Sequence, residues 1–219
     1  IRAHGPRPSA ILDVGVQYGT PALAQAFADS PHYLFEPVAE YAGAIAKAYA
    51  DIPHERIEAA VSHQPGAFTL FTRDFKGAGG VSHARLEHDR GSQARPSESA
   101  RTVETITLDG FIAERGLSGP FLLKIDTDGN EMNVLAGAEA ALRQCAVVII
   151  EATARKIGER LAFLEARGFR LYDAVDLLYY DGALHQLDLV FVSQDAFEAS
   201  GLNRRKAGPI DPALFQKLA

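Results

Sequence analysis

One cysteine, one methionine and no tryptophan among 219 residues remove several classes of protein at once. Cys145 alone can close no disulfide within the chain and can build no Cys-based zinc site. It stands between a helical pattern and the apolar run Ala146-Val147-Val148-Ile149-Ile150, where it reads as a packed thiol rather than a nucleophile. Clustered positive charge is also missing. The net charge is −6, and Arg204-Arg205-Lys206 is the only basic triplet. Phosphate-backbone recognition needs grouped Lys and Arg, so no nucleic-acid partner is expected. No apolar run approaches the roughly eighteen residues a membrane span requires, and no leader pattern is visible. The expectation is a cytoplasmic protein with no membrane association. His32, His54, His63, His83, His88 and His185 show no metal-ligand spacing, and G-x-S-x-G is absent. Neither a metal site nor a serine-hydrolase elbow is expected.

A hydrophobic fraction of 47% and a charged fraction of 23% suit one ordinary globular core. Apolar runs alternate with helical patterns along the whole chain, the signature of a doubly wound α/β domain. Strands are expected over residues 10–14, 33–35, 57–61, 121–125, 147–150, 169–172 and 187–192. Thr20-Pro21 supplies a helix N-cap followed by proline at the first helical position. Residues 68–71 and 103–108 look extended, and Asp109 is expected to cap a short helix. The last two strands flank an Asp181-Gly182 turn signal and have no room for a helical crossover, so they should be antiparallel neighbours. Residues 76–101 are rich in glycine and serine with little apolar periodicity, which reads as a long lid loop. With no internal repeat and no boundary, residues 1–219 form one expected domain.

Ligands of open α/β sheets bind beyond the carboxyl ends of the strands. Asp13-Val14-Gly15-Val16-Gln17-Tyr18-Gly19 is a glycine-bearing loop between a strand and a capped helix, where the backbone can approach a ligand. It matches neither G-x-G-x-x-G nor a Walker loop. Glu36 ends the second strand, where a carboxylate can accept both hydroxyl hydrogens of a ribose. Asp126 ends the central strand, with no local capping job, so a ligand role is expected. Asp128 and Glu131 fit a capping box instead. Lys124 lies one position inside the strand, where burial requires a partner. Glu151 occupies the equivalent end of the next strand, within reach of an acceptor or a metal. Ser62 should border a bound base, and His83 and His88 lie in the expected lid as candidates for proton removal.

These residues together resemble the FkbM family of S-adenosylmethionine-dependent methyltransferases over residues 11–192. The family's D-V-G-A-N-x-G loop is similar to Asp13 through Gly19, with Gln17 in place of asparagine. Its strand-two Glu-Pro resembles Glu36-Pro37, and its threonine-rich run ending in Leu-Asp resembles Thr105-Ile106-Thr107-Leu108-Asp109. Its most specific signature, L-K-I-D-V-E-G-x-E followed by V-L-x-G-A, resembles Leu123 through Glu131 and then Val134 through Ala138, with Asp128 in place of glutamate. The resemblance implies a Rossmann-like methyltransferase domain, a seven-stranded mostly parallel sheet with an antiparallel last strand. It also implies S-adenosylmethionine as cofactor, held by Asp13, Gly15, Gln17, Gly19, Glu36, Ser62 and Asp126, and O-methylation of a small metabolite or sugar. Asp126, His83 and His88 are the candidate catalytic residues. Two rivals stand beside this reading: a nucleotide-dependent oxidoreductase on a related fold, and a cofactor-binding domain without turnover.

Overall fold

The computed structural model describes residues 5–74, 81, 83–87, 94–95 and 97–200. Within them the strands are β1 (Ala10–Val14), β2 (His32–Phe35), β3 (His54–Ile57), β4 (Ala60–Val61), β5 (Gly66–Arg73), β6 (His83–Leu86), β7 (Glu98–Ile106), β8 (Phe121–Ile125), β9 (Cys145–Thr153), β10 (Phe169–Tyr180) and β11 (Ala183–Ser193). The helices are α1 (Pro21–Ala26), α2 (Ala42–Ala48), α3 (Leu108–Arg115), α4 (Glu131–Ala136), α5 (Glu139–Leu142), α6 (Ile157–Glu165) and α7 (Gln194–Ala199). The main sheet has seven strands in the order β10-β11-β9-β8-β1-β2-β3. All neighbours pair in parallel except β11, which is antiparallel to both β9 and β10. Asp181 and Gly182 turn the chain between β10 and β11, both with positive φ (48° and 76°), as a two-residue hairpin with this twist requires.

Strand alternation sorts the core into two faces. Leu12, Val14, Leu123, Ile125, Val148, Ile150, Leu189 and Phe191 pack on one side with α3 to α6. Ile11, Leu122, Val147 and Val190 lie on the other, with Leu23 of α1 and Ala196 of α7. β1, β8 and β9 are buried on nearly all their residues because helices cover both faces, which is why they read as unbroken apolar runs.

Two expectations need correction here. Residues 57–61 are not one strand: β3 joins the main sheet while β4 pairs with β7 in a second sheet. β3 is an edge strand, so its His54-Glu55-Arg56 needs no apolar pattern. Glu55 pairs with Arg115, and Arg56 with Glu58. The stretch 76–101 is not simply a loop either. β6 and the start of β7 lie within it and belong to a four-stranded sheet ordered β4-β7-β5-β6. Eight register pairs join β5 to β7, so backbone hydrogen bonds hold a strand whose side chains are mostly polar and mostly only partly buried or exposed. Arg85 adds an ion pair to Glu98 (2.8 Å) and lies over the Phe71 ring (4.2 Å).

Caps also differ in detail. Thr107, not Asp109, caps α3 by accepting from the Gly110 amide (3.0 Å). Asp109 instead accepts from the Ala140 and Ala141 amides (3.0 and 2.7 Å) at the start of α5. α4 begins at Glu131 itself, so Asp128 is not its N-cap; Glu131 reaches back to the amides of Thr127 and Gly129 (3.3 and 2.7 Å).

Candidate active site at the carboxyl ends of the strands

The register across the sheet explains where the polar groups gather. Asp13 pairs with Lys124, Lys124 with Ile149, and Ile149 with Val190. One row further toward the strand ends, Asp126 follows the Ile125–Ile150 pair and comes beside Glu151, which pairs with Asp188. All of these share the face that carries Ile11, Leu122, Val147 and Val190 deeper in the sheet. The face thus changes from apolar to charged over two residues, just where an open α/β sheet presents its ligand site.

Gly15 opens the loop after β1 with φ +84°, and a Cβ there would lie 1.7 Å from the Asp126 carbonyl oxygen. Only glycine allows β1 and β8 to stay this close at their ends. Gly19, at φ +121°, would meet Ala48 at 3.1 Å. Gln17 also adopts a positive φ of 48°, which turns its amide toward Glu36.

Glu36 is almost wholly buried, and each of its oxygens accepts one backbone hydrogen bond: from Gln17 (2.8 Å) and from Val38 (2.9 Å). A carboxylate has about four acceptor positions, so both oxygens retain capacity for a further donor. Burial pushes the Glu36 carboxyl above its ordinary range, and the Val38 and Gln17 amides and Arg56 offset part of that. Glu36 lines a recess with Gly15, Gln17, Tyr41, Val61 and Leu86. The recess is narrow, about 50 Å³, so a nucleoside needs it to widen. Its outer wall, Leu70, Ala84 and Leu86, comes from the second sheet that sequence reading did not foresee. Ser62 does not line it. Val61 does, while the Ser62 hydroxyl faces His63 (3.3 Å).

Gly15, Gln17, Asp126 and Asp128 are shared between that recess and a larger cleft of about 690 Å³. Lys124, Glu151 and Asp188 also line the cleft, and Tyr18, Pro21, Leu178 and Leu187 supply apolar wall. Lys124 donates to Asp126 (2.8 Å). Burial by itself would lower the Lys124 pKa, yet the carboxylates of Asp13 and Asp126 hold it above its usual value. Asp13 is fully buried beneath the loop and does not line the cleft. Neither of its oxygens meets a donor within hydrogen-bond distance, although the Thr20 and Tyr49 hydroxyls stand nearby. Burial raises its pKa, with Lys124 opposing. His83 is exposed at the rim, and His88 lies outside the described residues. Among the described residues no group of three or more His, Cys, Asp or Glu is arranged to hold a metal ion, and no helix is long and apolar enough to cross a membrane.

The sequence alone put Glu151 within reach of an acceptor or a metal and required a partner for Lys124, but it gave Asp188 no role in the site. The signal was present: alternate residues on β8, β9 and β11 place these three on one face. Reading it required the register between strands distant in sequence.

The strand order, the glycine loop after β1 and the buried acid after β2 define a Rossmann-like domain suited to a nucleoside cofactor. The family model of the methyltransferase FkbM domain matches residues 13–171. The chain therefore belongs to the FkbM methyltransferase family, and S-adenosylmethionine is its cofactor. The chain is 33% identical over 100 residues to the 31-O-demethyl-FK506 methyltransferase FkbM of Streptomyces tacrolimicus, a match covering 43% of this chain and 38% of that relative. Among solved structures, a TehB-like S-adenosylmethionine-dependent methyltransferase of Corynebacterium glutamicum aligns with TM-score 0.39 and 15% identity, over 86% of this chain and 82% of the other. A candidate RNA methyltransferase of Pyrococcus horikoshii aligns with TM-score 0.43 and 9% identity, over 84% and 74%.

Proposed function

We propose that this protein transfers a methyl group from S-adenosylmethionine to a hydroxyl oxygen of a small metabolite or sugar. The observation that carries the reading is the row Lys124, Asp126, Glu151 and Asp188 along the floor of a cleft that shares Gly15 and Gln17 with the Glu36 recess. A cofactor bound across the glycine loop then presents its reactive end to a polar floor under partly apolar walls. The relative from Streptomyces tacrolimicus, an O-demethyl-FK506 methyltransferase by name, supports oxygen as the nucleophile.

Bound S-adenosylmethionine supplies an electrophilic methyl carbon on a sulfonium. The Glu36 carboxylate holds the ribose hydroxyls with its remaining acceptor capacity. Gly15, Gln17 and Gly19 let the loop backbone approach the cofactor, and Asp13 beneath them braces Lys124 electrostatically. Asp126, already oriented by Lys124, holds the cofactor's amino group or orients the acceptor. Ser62 follows Val61 of the recess wall at the adenine end. His83 stands at the rim of the cleft, where it can meet an acceptor. Holding the reactants in line supplies much of the acceleration, and a base that takes the hydroxyl proton adds about 10²–10⁴-fold.

Calorimetry with S-adenosylmethionine and with NADH tests the cofactor half of this reading. Binding of the first and not the second is expected. NADH binding alone would favour an oxidoreductase, and tight S-adenosylmethionine binding with no transfer to any hydroxyl compound would favour a domain without turnover.

A further inference from the structure

Glu151 lies between Asp126 and Asp188 in the row across the sheet, and like Asp128 it lines both the 690 Å³ cleft and an adjoining cleft of about 680 Å³. Gln186 donates a hydrogen bond to one of its oxygens, and the Asp126 carboxyl is within hydrogen-bonding reach of it. Asp126 is itself anchored by Lys124, whereas among the described residues no ion pair joins Glu151 to a cation. The cations sharing its second cleft are engaged elsewhere: Arg160 by Glu131 and Glu159, and Lys156 by Glu159. His83 and His185 are exposed at the rim.

We propose that Glu151 takes the proton of the acceptor hydroxyl, and that Asp126 positions and tunes it. The assignment rests on the O-methyltransferase reading above and names its proton acceptor. As the acceptor oxygen bonds to the methyl carbon, the carbon–sulfur bond breaks and its electron pair stays on sulfur. The hydroxyl proton passes to the Glu151 carboxylate, so one proton moves and no redox partner is required.

The electrostatics suit that task. Burial, followed by the charges of Asp126, Glu131 and Asp128, pushes the Glu151 carboxyl up to about 9. A carboxylate of ordinary pKa is a weak base for an alcohol. One raised toward neutrality or above has the driving force that general-base catalysis favours. A sulfonium bound beside it would lower that value again by favouring the ionised form, so the base would form as the methyl donor arrives.

Carbon NMR on the full chain labelled at glutamate carboxyls tests the assignment, with the Glu151 signal identified by its loss in Glu151→Gln. In the free protein Glu151 should titrate near 9. Asp126→Asn should lower its midpoint by about one pH unit or more, because a neighbouring negative charge is removed. S-adenosylmethionine should lower it by a similar amount relative to S-adenosylhomocysteine, which lacks the positive charge. A midpoint in the ordinary glutamate range, or equal midpoints with the two ligands, would overturn the assignment while leaving the cofactor reading intact. Failure of both ligands to bind would overturn the underlying reading and this assignment with it. In labelled-methyl transfer to a metabolite extract, Glu151→Gln should be slowed about 100-fold or more with cofactor affinity retained, and Glu151→Asp should recover part of the loss. Near-normal transfer by Glu151→Gln would refute the role.

Discussion

Replacing Glu36 with alanine removes a side chain that serves two masters. Its oxygens accept from the Gln17 and Val38 amides at 2.8 and 2.9 Å, and on the present reading they also hold the ribose hydroxyls. Hydrogen bonds to a charged group contribute about 1.5–3 kcal/mol each. Loss of one ribose bond would therefore weaken binding roughly 10- to 150-fold, and loss of two would weaken it further. Release of the Gln17 amide loosens the glycine loop, so the larger effect is expected for alanine. Glu36→Gln keeps the volume and one acceptor oxygen, and should retain intermediate affinity. Calorimetry with S-adenosylhomocysteine measures the affinities, and circular dichroism confirms that both variants are folded. Affinity unchanged within twofold in a folded Glu36→Ala protein would refute the ribose assignment.

Other substitutions probe the frame and the floor of the site. Gly15→Ala must displace the Asp126 carbonyl, 1.7 Å from the new Cβ, at a φ of +84°; a lower melting temperature and loss of cofactor binding by calorimetry are expected. Arg160→Ala leaves Glu131 as a buried, uncompensated charge after loss of a 2.6 Å pair, so denaturant unfolding should show a loss of about 3–5 kcal/mol. Asp126→Asn should fold normally yet transfer methyl groups far more slowly; a normal rate in the labelled-methyl assay would return Asp126 to a purely structural role. The Glu151 pKa is raised on folding, so its stabilisation is complete below about 4.5 and is lost as pH rises through about 9. Melting temperatures of Glu151→Gln across that window should fall less steeply than those of the parent protein, and identical slopes would contradict the shift.

Much of the main sheet was legible because its physics is local. β1, β8 and β9 are buried on both faces and read as continuous apolar runs, and Asp181-Gly182 fixes the terminal hairpin through two positive φ angles. The second sheet was legible only as the extended runs 68–71 and 103–108. Most residues of β6 and β7 are partly buried or exposed, so neither leaves an apolar alternation, and pairing with β5 is a long-range property. That sheet walls the recess, which is why Val61 and Leu86 line it and Ser62 does not. Gly15, Gln17, Glu36 and Asp126 were legible as loop and strand-end residues and do converge on one recess. Asp188 carried no expected site role because its place beside Glu151 depends on an antiparallel register set far along the chain.

On the proposed function, the cleft floor presents a hydroxyl to the methyl group of S-adenosylmethionine. Incubation of the protein with a small-metabolite extract and methyl-labelled cofactor, followed by mass spectrometry of the labelled product, tests it most directly. Label is expected on the oxygen of a small hydroxyl-bearing compound, with S-adenosylhomocysteine formed in equal amount. Label found on nitrogen, carbon or a macromolecule, or no transfer despite cofactor binding, would contradict it.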